Sequence, residues 1–133
     1  MAVTISGTDG ITTPTTLNNA TSFGYTTGSG GTVTQLTNKS TAVTLNKATG
    51  KITMNTAALA GNTSVQFILN NTSIKSEDIV LVQIADSATF LAYLLWSEQS
   101  RDGFVRINLR NITAGSLSEG IVISFAIVKG ATF

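Results

Sequence analysis

Residues able to do acid–base or nucleophilic chemistry are few in this chain. Seven carboxylates, Asp9, Glu77, Asp78, Asp86, Glu98, Asp102 and Glu119, are spread over 133 residues that contain no histidine and no cysteine. Without imidazole or thiol, Ser-His-Asp and Cys-His nucleophile systems and histidine metal sites cannot be assembled. Disulfides and thiolate metal sites are excluded on the same ground. Glu77 and Asp78 are the one adjacent acid pair and precede an apolar run. A glycosidase pair gathered from distant acids stays open, but the simpler reading of these two is a solvated loop. A calcium loop needs closely spaced Asp and Asn ligands, and Asp86-Ser-Ala-Thr89 supplies one carboxylate. Gly28-Ser-Gly-Gly31 lacks the lysine and the following helix of a phosphate loop and reads as a linker. The sequence thus assigns no catalytic residue, no metal and no cofactor, and the expectation is a protein that is not an enzyme.

Recognition chemistry has one candidate. Tyr93 and Trp96 fall near the Arg101-Asp102 tip, where aromatic faces could stack a sugar ring while charged neighbours bind its hydroxyls. The plainer alternative makes both aromatics part of the core or of a subunit interface. Six Asn-x-Ser/Thr matches, at Asn19, Asn38, Asn62, Asn70, Asn71 and Asn111, carry no weight as glycosylation acceptors in a chain so rich in these residues.

The elements that must position these groups read as strands. Phe104 to Arg110 alternates Val105, Ile107 and Leu109 with Arg106, Asn108 and Arg110, the period of two of a sheet with one apolar and one polar face. Ile121 to Val128 is apolar on both faces and is expected to be covered on both. The loop 111–120 between them is short enough for an antiparallel hairpin, with a crossover between two sheets as the alternative. Upstream, Thr32–Leu36, Ala42–Leu45, Ile52–Met54, Ser64–Asn70 and Ile79–Ala85 also read as strands, the last two as central ones. Lys47–Lys51 reads as a tight turn with Gly50 at positive φ. Met54–Gly61 is expected to offer at most one helical turn, and so is Ser73–Asp78. Phe90–Glu98 fits either a strand or a helix, and Ser100-Arg-Asp-Gly103, a hairpin-like turn, favours the strand.

Residues 1–31 are Thr-, Asn-, Ser- and Gly-rich, with Val3, Ile5 and Ile11 among few apolar side chains to offset the entropy of ordering. They read as an extended N-terminal arm and link, with Val3, Ile5 and Ile11 as its attachment points, ahead of a domain at 32–133. Short strands without long helical patterns give an all-β fold, an antiparallel β-sandwich of jelly-roll-like kind.

Composition bounds the rest. Only 11% of residues are charged, mean hydropathy is +0.27, net charge is +1 and pI is near 8.1. No window approaches the ~18 uninterrupted apolar residues of a membrane helix, and the scattered basic residues make no field for nucleic acid or a membrane surface. The opening Met1-Ala-Val-Thr-Ile-Ser-Gly lacks the basic start and apolar run of a signal peptide, so secretion is not expected. A surface this neutral, together with strands apolar on both faces, points to a homo-oligomer.

The stretches Gly24-Tyr-Thr-Thr-Gly-Ser-Gly-Gly-Thr-Val-Thr-Gln35, Lys39–Asn55 and Arg110–Gly130 together resemble, in composition and order, a β-rich module of tailed-bacteriophage virion proteins. The opening Ala2–Ile11 is similar to the start of phage fibre-type proteins. The resemblance implies a virion location and a non-enzymatic structural role as a head-fibre, capsid-decoration or tail-associated protein. It implies a homo-oligomer, expected to be a trimer, joined through its N-terminal arm to other virion proteins. Ser97–Gly103 is more charged than the module's small-residue stretch, and no catalytic residues carry over. The rival expectation is a carbohydrate-binding module that adsorbs to a host-surface glycan through Tyr93, Trp96, Arg101 and Asp102.

Overall fold

The computed structural model describes residues 24–131. The expected strand at Val3–Ile5, the segment around Ile11 and the proposed attachment residues Val3, Ile5 and Ile11 lie outside the described residues. Eight strands follow in order: β1 (Thr32–Thr34), β2 (Val43–Thr44), β3 (Thr49–Thr53), β4 (Ser64–Asn70), β5 (Ile79–Asp86), β6 (Tyr93–Arg101), β7 (Phe104–Asn111) and β8 (Val122–Val128). There is no helix among the described residues. The strands form two four-stranded sheets, β1-β3-β8-β5 and β2-β4-β7-β6, packed face to face as a β-sandwich.

The alternation read from the sequence decides which side chains make the core. Ile52, Ile123, Phe125, Ile127 and Val80 point inward from the first sheet; Phe67, Leu69, Val105, Ile107, Leu109 and Tyr93 point inward from the second. Met54, Leu59 and Ile74, from connections, close the ends. Burying side chains of this kind gives ~1.5–3 kcal/mol each, the main term holding the sheets together.

Of the seven connections only β6–β7 stays within one sheet. It is the hairpin expected at Ser100–Gly103, with Gly103 at φ 89 and a bulge at Gln99, φ 52. The expected hairpin between Phe104–Arg110 and Ile121–Val128 does not form, because β7 pairs with β4 and β6 while β8 pairs with β3 and β5. The intervening loop crosses between sheets, held by the Leu59–Leu117 bridge. That bridge also replaces the helical turn expected at Met54–Gly61, and the turn expected at Ser73–Asp78 is a pair of tight turns, Asn71–Ile74 and Lys75–Asp78.

Three further expectations are corrected. Among the described residues β5 is an edge strand, not a central one, and its outward Ile79 and Leu81 are exposed. β8 is not covered on both faces; Val128 is exposed and Val122, Ser124 and Ala126 are half-buried on its outer side. Gly50 lies within β3 rather than in a turn of positive φ. It is glycine for want of space, since a Cβ there would sit 2.7 Å from the Gly31 carbonyl oxygen and 2.7 Å from Leu45 Cδ2. Two pairs, β1–β3 and β2–β4, run parallel. The other pairs, β3–β8, β8–β5, β4–β7 and β7–β6, are antiparallel, so both sheets are mostly antiparallel.

Candidate functional site

Asparagine side chains fasten loop ends at Asn38, Asn71 and Asn111, the last two of them buried. Asn111 Nδ2 donates to the carbonyls of Leu59 (2.9 Å) and Gly115 (2.8 Å), and its Oδ1 accepts the Thr113 N–H at 2.9 Å. Asn71 Nδ2 donates to Lys47 O, and its Oδ1 accepts the Ser73 N–H. Asn38 Oδ1 accepts the Ser40 N–H and hydroxyl. In each, the asparagine oxygen binds the N–H two residues on, an Asx-turn. The Asn-x-Ser/Thr pattern at 38, 71 and 111 is turn chemistry.

At the end of the sandwich carrying loops 54–63, 87–92 and 112–121, Lys39 is buried and its Nζ donates to the carbonyls of Asn55 and Glu119. Burial pushes its pKa down, and the nearby Glu119 carboxylate only partly restores it. Tyr93 is buried beside Glu119; burial first, then that carboxylate, holds its phenol well above the ordinary value. The Tyr93 hydroxyl and Glu119 Oε1 are both enclosed without a well-formed hydrogen bond, while Glu119 Oε2 accepts from Thr89 at 3.2 Å. A cavity of about 380 Å³ opens here between Ile84–Ser87 and Phe90–Tyr93. Phe90 is 85% and Leu91 78% exposed, and Leu91 holds φ 56, a conformation costly for a bulky side chain. Leu36 and Ile112 add to this exposed apolar crown.

The opposite end carries the tip residues. Arg101 is exposed and makes only a 3.5 Å contact with Ser100 O, while Asp102 accepts the Ser76 N–H and pairs with Lys75 at 3.8 Å. Buried Asp78 accepts from Lys129 Nζ (2.8 Å) and from the N–H groups of Lys75 and Gly130. Burial alone would raise its pKa, but those donors outweigh it and hold the carboxyl below its usual range.

The sugar platform expected from Tyr93, Trp96, Arg101 and Asp102 is not assembled. Tyr93 and Trp96 leave opposite faces of β6, Tyr93 into the core and Trp96, 38% exposed, onto the outer face. Arg101 pairs with Phe104, at the far end of β6 from the Trp96–Asn108 pair. What the register does bring to Trp96 is a different set. The rows across β4, β7 and β6 are Ser64–Arg110–Leu94, Gln66–Asn108–Trp96 and Ile68–Arg106–Glu98. Gln66 Nε2 donates both to Asn108 Oδ1 (2.9 Å) and to Glu98 Oε1 (3.0 Å); Arg106 donates to Gln99 Oε1 and lies 5.4 Å from the Phe104 ring. The alternation of Arg106, Asn108 and Arg110 signals their shared face in the sequence, but nothing local says that Trp96 and Gln66 flank it.

On the other sheet, Ile79, Leu81, Val128 and Tyr25 form a second exposed apolar patch. Small side chains on β8, Ser124 and Ala126, leave shallow hollows of about 440 and 310 Å³ beside Leu81. Tyr25 is fixed there by its hydroxyl, which donates to Ile127 O.

Among the described residues no three His, Cys, Asp or Glu side chains gather into a metal-holding group. Comparison of the chain with protein-family models, curated proteins and solved structures found no match in any of the three.

Proposed function

We propose that this chain is a non-enzymatic, self-associating structural subunit of a tailed-bacteriophage virion, a decoration, head-fibre or tail-associated protein joined to the particle through its N-terminal arm. The observation that carries the self-association is the pair of exposed apolar patches, Ile79/Leu81/Val128/Tyr25 on one sheet face and Leu36/Phe90/Leu91/Ile112 at one end. Apolar surface of this kind, on a skin where few charges compete, favours burial against another subunit. The strain at Leu91 supports the same reading, because folding alone gains nothing from holding an exposed leucine at positive φ. The virion context rests on the sequence resemblance of residues 24–130.

The test is the solution mass of the full-length protein by light scattering, with and without the double substitution Phe90→Ser, Leu91→Asn. The expected result is a trimer that falls to monomer in the variant; a wild-type monomer at high concentration removes the assembly role. Attachment is tested separately. A chain beginning at residue 24, which keeps the Tyr25 anchor, is expected to remain folded and to lose binding to particles, and undiminished binding refutes attachment through the arm.

A further inference from the structure

We propose that the outer face of the β2-β4-β7-β6 sheet binds an acidic saccharide, centred on Trp96 and Asn108. This goes beyond the assembly role, which uses other surfaces. Three features of the face carry it.

The first is an orphan donor. Asn108 is only 6% exposed although it points outward from the middle of the sheet, and its Nδ2 is enclosed with no acceptor, while Oδ1 is held by Gln66. A desolvated amide donor without a partner is rare in folded proteins and marks a place where an acceptor belongs. A ligand hydroxyl or ring oxygen reaching in as Gln66 turns aside would supply it. The second is the aromatic beside it. Trp96 pairs directly across from Asn108 and keeps over a third of its surface in solvent, so an indole face and an amide are presented together. The third is charge. Among the described residues the ion pairs are Lys75–Asp102 and Lys129–Asp78; neither Arg106 nor Arg110 is within salt-bridge distance of a carboxylate. They flank Asn108 on the same strand face, about 13 Å apart from the rise per residue. With Glu98 the three charges of the face sum to one positive.

This mixture selects the ligand class. Sugar rings offer an apolar face for Trp96 and hydroxyls that both donate and accept, which suits Gln66, Asn108 and Glu98 together. A phosphodiester backbone offers acceptors alone and leaves the Glu98 carboxylate without a donor, whereas sugar hydroxyls supply one. The two guanidiniums, neither of them ion-paired among the described residues, call for carboxylate, sulfate or phosphate substituents on the sugar, which they can hold by paired hydrogen bonds.

The experiment screens the full-length protein on an array of neutral and acidic glycans, the latter bearing uronate, sialate and phosphate groups. Hits are titrated by the emission of Trp96, the chain's one tryptophan. A single-stranded thymidine oligonucleotide serves as a second anionic probe. The expected result is binding confined to acidic glycans, with a saturable change in Trp96 emission. Arg106→Gln and Arg110→Gln are each expected to weaken it about tenfold, a charge-assisted hydrogen bond lost, and Arg101→Gln to leave it unchanged. No array hit, hits on neutral glycans of equal strength, tighter binding of the oligonucleotide, or affinity unaffected in both arginine variants overturns the proposal. Because these arginines lie outside both apolar patches, an unchanged oligomer mass in the same variants keeps this result separate from the assembly role.

Discussion

The three asparagines with the same turn chemistry and different burial give a graded stability test. Asn111 is fully buried, Asn71 nearly so, and Asn38 exposed. In Asn111→Ala the carbonyls of Leu59 and Gly115 and the N–H and hydroxyl of Thr113 each lose a partner. Leu59 O keeps the Leu117 N–H at 3.1 Å, and the Thr113 hydroxyl proton freed from Asn111 can turn to Gly115 O, so those two losses fall at the low end of a net ~0.5–1.5 kcal/mol per hydrogen bond. Adding the small cavity gives about 3 kcal/mol. Asn71→Ala loses two bonds, to Lys47 O and from the Ser73 N–H, for about 2 kcal/mol. Asn38→Ala loses bonds of similar geometry, but water replaces them, and the cost is expected to stay within about 0.5 kcal/mol.

The assay is urea unfolding followed by far-UV circular dichroism. For a slope of roughly 2 kcal/mol/M, the midpoint is expected to fall by about 1.5 M in Asn111→Ala and about 1 M in Asn71→Ala, with the slope unchanged. If Asn38→Ala costs as much as Asn111→Ala, or if Asn111→Ala shifts the midpoint by less than about 0.5 M, the loops are not fastened by these buried amides and the account of the Asn-x-Ser/Thr pattern fails.

Four shorter predictions follow from the same packing. Asp78 has a lowered pKa, so its contribution is present above the unfolded carboxylate value near ~3.9 and is lost as pH falls through the lower folded value; Asp78→Asn should flatten stability against pH in that acid range, measured by urea midpoints. Tyr93 has a raised pKa, so the unfolded chain ionises first and stability is lost as pH rises through ~10; Tyr93→Phe should remove that alkaline loss and, by deleting an enclosed hydroxyl without a partner, change neutral-pH stability by no more than about 1 kcal/mol. Gly50→Ala should cost about 1–3 kcal/mol by overpacking against Gly31 O and Leu45, read as a lowered melting temperature. Leu91→Gly should stabilise the monomeric fold by up to about 1 kcal/mol by relieving φ 56 while weakening self-association, so that calorimetry and light scattering move in opposite directions.

Strand existence was legible because it depends on near neighbours in the chain. The alternation at Val105/Ile107/Leu109 and the turn residues before Gly103 are local signals, and β7 and the β6–β7 hairpin formed where they pointed. Pairing was not legible, because it depends on partners far along the chain. Ile79–Ala85 is apolar at almost every position, which reads as burial on both faces, yet nothing in those residues tells that β8 lies on one side and, among the described residues, no strand of its own sheet on the other. The candidate site failed and succeeded on the same division. Arg106 and Arg110 were visible as one polar face, whereas Trp96 was grouped with Tyr93 and Arg101 by closeness in sequence. Asn108 and Gln66, its true neighbours, come from other strands.

The edges of this sandwich bear on how copies can meet. β5 and β6, the long edge strands of the two sheets among the described residues, pack against each other, and Ser97 Oγ donates to Val80 O across the gap, occupying one carbonyl of β5. At the opposite side β1 has three residues and β2 two, too short to template a strand partner. Among the described residues the β1 and β2 margin is thus a poor template for strand addition. The apolar patches lie elsewhere, one on the outer face of β5 and β8 and one on the loops entering β6, while the Trp96 face carries Arg106, Arg110 and Glu98. The proposed self-association uses the first two surfaces and the proposed ligand the third, so the two proposals do not compete for the same residues.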